Sequence, residues 1–239
     1  MFPVSMAINV LHLEHNRIDT ISSNMFPMIN AVLAVHLDHN NFTEIQSDAF
    51  AQCISLNTLT LSHNRLTKIP QHALAPLNSL QTLDLSFNQI STLHRRAFGS
   101  LNILFNLNLS SNSISEIKEN AFEGLLQLLR LNMSHNRIEQ LHPDSFNTLV
   151  SLRSLDLSHN QIIQLDNTTH SIFGHLLSID ELDLSNNRIS LIKDQSFPYS
   201  PWIPYKLRKL GKNSYDRIFL IETQLSSPLQ IFHTIPYQF

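Results

Sequence analysis

Seven of the thirteen histidines in this 239-residue chain fall at fixed intervals, and several stand beside carboxylates. His12, Glu14, His36 and Asp38 set two imidazoles and two acids 24 residues apart. On adjacent strands they would outline a square about 5–7 Å on a side. Such a donor set can hold a divalent cation, but short side chains rising in parallel from a sheet converge poorly. A solvated polar face explains them as well, and no metal is expected. A second column, His15, His39, His63, His135 and His159, is interrupted by Phe87, Ser111 and Asn186. Protonation near pH 6 would place like charges about 5 Å apart, costing roughly 0.8 kcal/mol per adjacent pair at water-like dielectric. That would suit a ligand released on acidification; the plainer account is a turn position that tolerates histidine. Four N-x-S/T sequons, at Asn41, Asn108, Asn132 and Asn167, are acceptors for glycans. The single cysteine, Cys53, reads as a small buried hydrophobe rather than a reactive thiol. No serine, histidine and acid combination stands out, so no enzyme is expected.

Composition narrows the field further. Sixteen Lys+Arg against nineteen Asp+Glu give a formal charge of −3, whereas a nucleic-acid binder normally carries a basic surplus on one face. Four isolated glycines leave no phosphate-cradling loop, dinucleotide fingerprint or nucleophile elbow. One cysteine excludes an internal disulfide framework and a multi-thiolate zinc site. No apolar run approaches the roughly eighteen residues of a membrane span, and Met1-Phe2-Pro3-Val4 does not read as a secretion signal. No cofactor is expected.

What must position these side chains is an internal repeat. Asparagine recurs at Asn16, Asn40, Asn64, Asn88, Asn112, Asn136 and Asn160, always 24 apart, and again at Asn187, 27 further on. The same apolar positions surround each: Leu83, Leu85, Asn88, Ile90, Leu93 and Phe98 are typical. In each L-x-L segment alternate side chains face opposite ways, so the two leucines point inward and the residue between them outward. Successive strands then stack as parallel neighbours, with the asparagines forming a ladder that satisfies buried backbone groups. Phe26, Phe50, Phe98, Phe122, Phe146, Phe173 and Phe197, with Leu74 substituting once, form a second column on the wider back. The expectation is an α/β solenoid, a curved horseshoe of eight full repeats with a parallel sheet on its concave face.

Residues 1–203 carry this pattern, which opens inside the second half of a repeat. Residues 204–239 do not follow it; they hold a small basic cluster (Lys206, Arg208, Lys209, Lys212, Arg217) and read as a frayed or non-native tail. An uncapped first strand predicts a piece of a longer protein, and uncapped ends also offer a route to self-association.

The L-x-x-L-x-L-x-x-N-x-L pattern with its recurring phenylalanine resembles the extracellular leucine-rich repeats of Toll-like receptor ectodomains, slit-type guidance proteins and chaoptin-like adhesion proteins. The long uniform array is most similar to the chaoptin-like group. The resemblance implies a secreted or cell-surface parent that binds a protein ligand or another cell-surface protein, with no catalytic residues. A Toll-like innate-immune receptor and a non-functional truncation product are the alternatives. Contacts are expected on the outward strand column: His12, His36, Thr60, Asp84, Asn108, Asn132, Asp156 and Asp183. The next outward column, Glu14, Asp38, then Ser62, Ser86, Ser110, Ser134, Ser158 and Ser185, is mostly serine. Asn41, at a turn, and Asn167, in the insertion of the seventh repeat, are the favoured glycan sites. Sugar on Asn108 and Asn132 would close the middle of the concave face.

Overall fold

The computed structural model describes residues 8–22, 31–99, 101–165 and 172–192, together with 219–220. Its elements in chain order are β1 (Val10–His12), β2 (Ala34–His36), β3 (Thr58–Thr60), the helix α1 (Gln71–Leu74), β4 (Thr82–Asp84), β5 (Thr92–Leu93), β6 (Asn106–Asn108), β7 (Glu116–Ile117), β8 (Arg130–Asn132), β9 (Ser154–Asp156), β10 (Gln164–Leu165), β11 (Glu181–Asp183), β12 (Leu191–Ile192) and β13 (Phe219–Leu220). The readings made of Phe2, Phe26, Asn167, Phe197 and the tail other than β13 lie outside the described residues.

Eight strands form one parallel sheet in the order β1-β2-β3-β4-β6-β8-β9-β11. The register is strict: Leu11, Val35, Leu59, Leu83, Leu107, Leu131, Leu155 and Leu182 lie in line. Each is the middle residue of its strand and each is buried, while its two neighbours face out. The period of two thus converts an L-x-L segment into a half-buried strand. From β2 onward the apolar residue after each strand of this sheet (Leu37, Leu61, Leu85, Leu109, Met133, Leu157, Leu184) is buried as well and makes the floor of the same core.

The return segments are mostly turns. Among the described residues the one α-helix is α1, a single turn that follows Pro70, and its start has no side-chain cap. Two small parallel sheets, β5–β7 and β10–β12–β13, line the back. Beneath them Phe98, Phe122, Phe146 and Phe173 stack with ring centroids 5.9, 5.8 and 6.2 Å apart. At the strand end of the repeats, aromatic rings on successive turns are only 4.0–4.3 Å apart. The turns are therefore wedges, thicker where phenylalanine fills them, and a stack of wedges must curve with its sheet inside. The back turns also crowd one another. Gly124, at φ +102°, lies so close to Gly99 that a Cβ would sit 2.6 Å from the Gly99 carbonyl oxygen.

The asparagine ladder links each turn to the one before it. Asn112 Oδ1 accepts from Ile90 N–H at 3.0 Å, and its Nδ2 donates to Leu85 O at 2.9 Å and Leu109 O at 3.1 Å. Asn40, Asn64, Asn88, Asn136, Asn160 and Asn187 repeat the arrangement. All of these amides are buried. Asn16 differs: it is exposed and bonds only Leu13 O and Glu14 O of its own turn.

Candidate recognition surface

The concave column begins with imidazoles and ends with acids. His12 is exposed, and His36, Thr60, Asp84, Asn108, Asn132, Asp156 and Asp183 are half-buried in a line across the sheet. From Asp84 onward each of these side chains bends back on its own strand. Oδ1 of Asp84, Asn108, Asn132, Asp156 and Asp183 accepts from the backbone N–H two residues later, at 2.8–3.1 Å. The donors are the serines of the next column. Ser86, Ser110, Ser134 and Ser158 are consequently buried, so at these four turns the second column is closed to a ligand, although alternation alone places it outward. Asn108 Nδ2 also donates to Asp84 Oδ2 at 3.1 Å, tying two strands together.

At the other end the four candidate metal donors are engaged separately. His12 Nδ1 meets Glu14 Oε1 at 2.9 Å, and His36 Nδ1 meets Thr60 Oγ1 at 3.1 Å. Asp38 accepts from the Thr60 hydroxyl and, at 2.8 Å, from Ser62 N–H. The two imidazoles lie face to face at 5.0 Å. Among the described residues, no group of three or more histidines, cysteines or acids is arranged to hold a metal ion. A backbone hydrogen bond, aided by that from His12, holds the Glu14 carboxyl below its ordinary value.

The histidine column has a backbone cause. His15, His39, His63, Phe87, Ser111, His135, His159 and Asn186 all have φ between 51° and 58°. This left-handed conformation is several-fold enriched in Asn, Asp and His. Because the position recurs on every turn, the rings fall into register: His15–His39 at 4.3 Å, His39–His63 at 4.0 Å, His63–Phe87 at 4.1 Å, and then His135–His159 at 4.1 Å. Burial against its neighbours, with the His63 and His15 charges, lowers the His39 pKa; Asp38 opposes this. A lowered value in the fold means that the unfolded chain binds more protons, so stability falls as pH drops below about 6.5. Melting temperature is expected to decline between pH 7 and 5. The variant His39→Asn, which suits the same backbone, is expected to flatten that slope, as calorimetry at stepped pH would register.

Within the described residues, then, every repeat presents one outward residue, one buried or half-buried serine or acid, one left-handed residue and one ladder-position asparagine. A sequence profile described as leucine rich repeat matches residues 32–90, 54–114 and 104–162, and a second of that description matches 151–176 and 178–199. The chain belongs to the leucine-rich repeat family. No curated protein sequence matches it. Among solved structures this leucine-rich repeat chain is similar to the TLR13–ssRNA13 complex, with 26% identity, a TM-score of 0.56, and coverage of 70% of this chain and 27% of that one. It is also similar in fold to the glycosylated Toll–Spatzle complex of Drosophila, with 22% identity, a TM-score of 0.62, and coverage of 76% and 27%. The repeats thus span about a quarter of the length of each of those chains.

The sequons of this leucine-rich repeat chain are differently placed. Asn41 is half-buried just after its ladder asparagine, where its N–H donates to Ile18 O at 2.8 Å. Asn108 and Asn132 are the concave amides already engaged with Ser110 and Ser134. Cys53 is buried beside the phenylalanine column, and desolvation pushes its thiol up to about 11. Alkylation by iodoacetamide at pH 8 is expected to be at least 100-fold slower in the native chain than in urea, since thiolate is the reacting species. Mass spectrometry of timed samples would measure it.

Two features escaped the sequence reading. One is a groove of about 630 Å³ on the back, lined in part by Glu44, Lys68, Pro70, His72 and His94. It lies beside α1, where Leu74 replaces phenylalanine; Pro70 with Leu74 was the available signal. The other is the face-to-face stacking of the histidine column, whose signal was the unbroken 24-residue spacing.

Proposed function

We propose that the chain is a non-catalytic recognition segment that binds a protein partner through its concave sheet, as in cell adhesion. One observation carries this reading. Eight parallel strands hold a continuous outward column, and five successive side chains of it, from Asp84 to Asp183, are pinned by hydrogen bonds to their own strands. Such a surface loses little side-chain freedom on binding, which is the main condition for affinity from a polar face. Its chemistry is graded, from His12 and His36 to Asp84, Asp156 and Asp183, and the acidic part suits a cationic patch on the partner. The parent protein would be extracellular or at the cell surface, with a glycan on Asn41. Among the described residues no helix is long and apolar enough to cross a membrane.

A second reading, a piece of a Toll-like receptor ectodomain that takes part in innate immunity, is favoured by the likeness to the Toll and TLR13 chains. Both readings place the ligand on the repeats.

The test uses fluorescent tetramers of the chain on cells. A triple variant, Asp84→Asn, Asp156→Asn and Asp183→Asn, removes charge but keeps the backbone cap, as Asn108 and Asn132 do already. Protease-sensitive cell binding that falls at least tenfold in this variant would support the concave site. Equal binding by the variant would overturn it. Clustering of cells that display the full-length parent would favour adhesion, and ligand-driven dimerisation of the parent would favour the receptor.

A further inference from the structure

The stacked rings at the strand ends are broken at one turn. His15, His39, His63 and Phe87 form one run, His135 and His159 a second, and Ser111 stands between them. The backbone does not change there. Ser111 has φ 54°, Phe87 52° and His135 55°. Ser111 N–H donates to Ser134 O at 2.9 Å just as Phe87 N–H donates to Ser110 O at 3.0 Å. The two runs are therefore in line, with one position that holds a hydroxymethyl group instead of a ring. Two steps of the 4.1 Å found on either side leave Phe87 and His135 about 8 Å apart, which is the room one flat ring takes between two others.

Phe87 marks the edge of this gap for a second reason. It is 49% exposed, whereas Phe42, Phe50, Phe98, Phe122, Phe146 and Phe173 are buried. It also holds a left-handed backbone, which is costly for a bulky residue and persists where the surroundings or a role impose it. An exposed, strained phenylalanine with one face on His63 has its other face turned toward the gap.

We propose that the space over Ser111 is an aromatic slot that receives a single tyrosine, tryptophan, phenylalanine or histidine side chain from a protein partner. The inserted ring is sandwiched between Phe87 and His135, and the Ser111 hydroxyl lies beneath it. A protein ring is favoured over a nucleobase by the charges around the slot. On the flanking turn positions stand Gln89, Ser113 and Arg137, and the neighbouring concave column holds Asp84, Asn108 and Asn132. One cation beside a carboxylate does not make the basic track that a phosphate backbone requires. The occupant rests on the reading of this face as a protein-recognition surface; the slot itself does not.

The experiment therefore needs no partner. N-acetyl-tryptophanamide is titrated into the full chain and followed by saturation-transfer NMR, with adenosine monophosphate as a parallel probe. Wild type is expected to bind the indole weakly, at millimolar strength, and Ser111→His to lose at least tenfold of that affinity because its own ring occupies the slot. Histidine is native to this position on five other turns, so the variant keeps the backbone conformation, and its melting temperature is expected to rise as two ring stacks form. A fall in that temperature would show that the gap is not one ring wide. Indole binding that is absent, or unchanged in Ser111→His, would overturn the slot. Adenosine monophosphate binding more tightly than the indole, and lost in the same variant, would replace the protein ring with a nucleobase.

Discussion

Asn112→Ala is expected to lower stability by about 2–4 kcal/mol, since one buried backbone N–H loses its sole partner at roughly 1–3 kcal/mol and the nearby carbonyls each lose one of two donors. The N–H is that of Ile90 in the preceding turn, reached only by this amide; Leu85 O loses Asn112 but keeps Asn88 Nδ2 at 3.1 Å, and Leu109 O keeps Asn136 Nδ2 at 3.0 Å. Water cannot replace it, because the side chain is 8% exposed. Asn112→Asp should do comparable damage by another route: the carboxylate still accepts from Ile90, but it buries a charge with one oxygen against the Leu85 and Leu109 carbonyls. Asn16→Ala supplies the contrast. That amide is exposed and bonds only its own turn, so its loss should cost under about 1 kcal/mol. Urea midpoints for the three variants, with amide exchange at Ile90, measure the difference. Equal midpoints for Asn112→Ala and Asn16→Ala would show that the ladder is not what holds the turns together.

Phe122→Ala should cost about 3–5 kcal/mol, the usual range for emptying a fully buried phenylalanine site. At roughly 2–4 °C per kcal/mol for a chain of this size, the melting temperature should drop by about 6–20 °C. The site is unable to collapse, because rings 5.9 and 5.8 Å away on either side belong to the two flanking turns and are held by their own strands. Phe122→Leu should be much milder, under about 1.5 kcal/mol by analogy with other conservative core swaps. Leu74 already occupies this column, fully buried, at one turn. Calorimetry on both variants separates loss of volume from loss of the ring as such. A similar drop for both would mean that the stacked geometry, and not the filled space, carries the stability.

The fold was legible because its determinants are local and repeated. Leu83, Leu85 and Asn88 state the strand, the floor and the ladder of one turn within six residues, and the next turn states them again. The column of Phe98, Phe122, Phe146 and Phe173 could be drawn from spacing alone. The candidate surface was legible only to first order. Alternation predicts that Ser86 faces out like Asp84, but it carries no information about Asp84 turning its carboxylate onto the Ser86 N–H and closing the serine off. The left-handed backbone at His15, His39 and His63 leaves a compositional trace, yet ring-on-ring contact at 4.0–4.3 Å depends on how tightly the concave side is drawn in. That tightness is set on the far side of each turn, by the girth of the phenylalanines.

The ladder also gives the molecule a direction in time. From Asn40 to Asn160 each amide reaches back 22 residues to a backbone N–H and 27 to a carbonyl, as Asn40 does to Ile18 and Leu13, and Asn187 reaches back 25 and 30. None of them reaches forward. A turn emerging from a ribosome is therefore left with open backbone groups until the asparagine of the following turn appears. At about 5–20 residues per second, that wait is roughly one to five seconds. During synthesis the growing end always carries one unfinished turn, and everything upstream of it is already closed. A translational pause placed just before a ladder asparagine prolongs the open state, whereas a pause just after it is harmless. Codon choice around the seven asparagines from Asn40 to Asn187 thus acts on the yield of folded chain without altering a single residue.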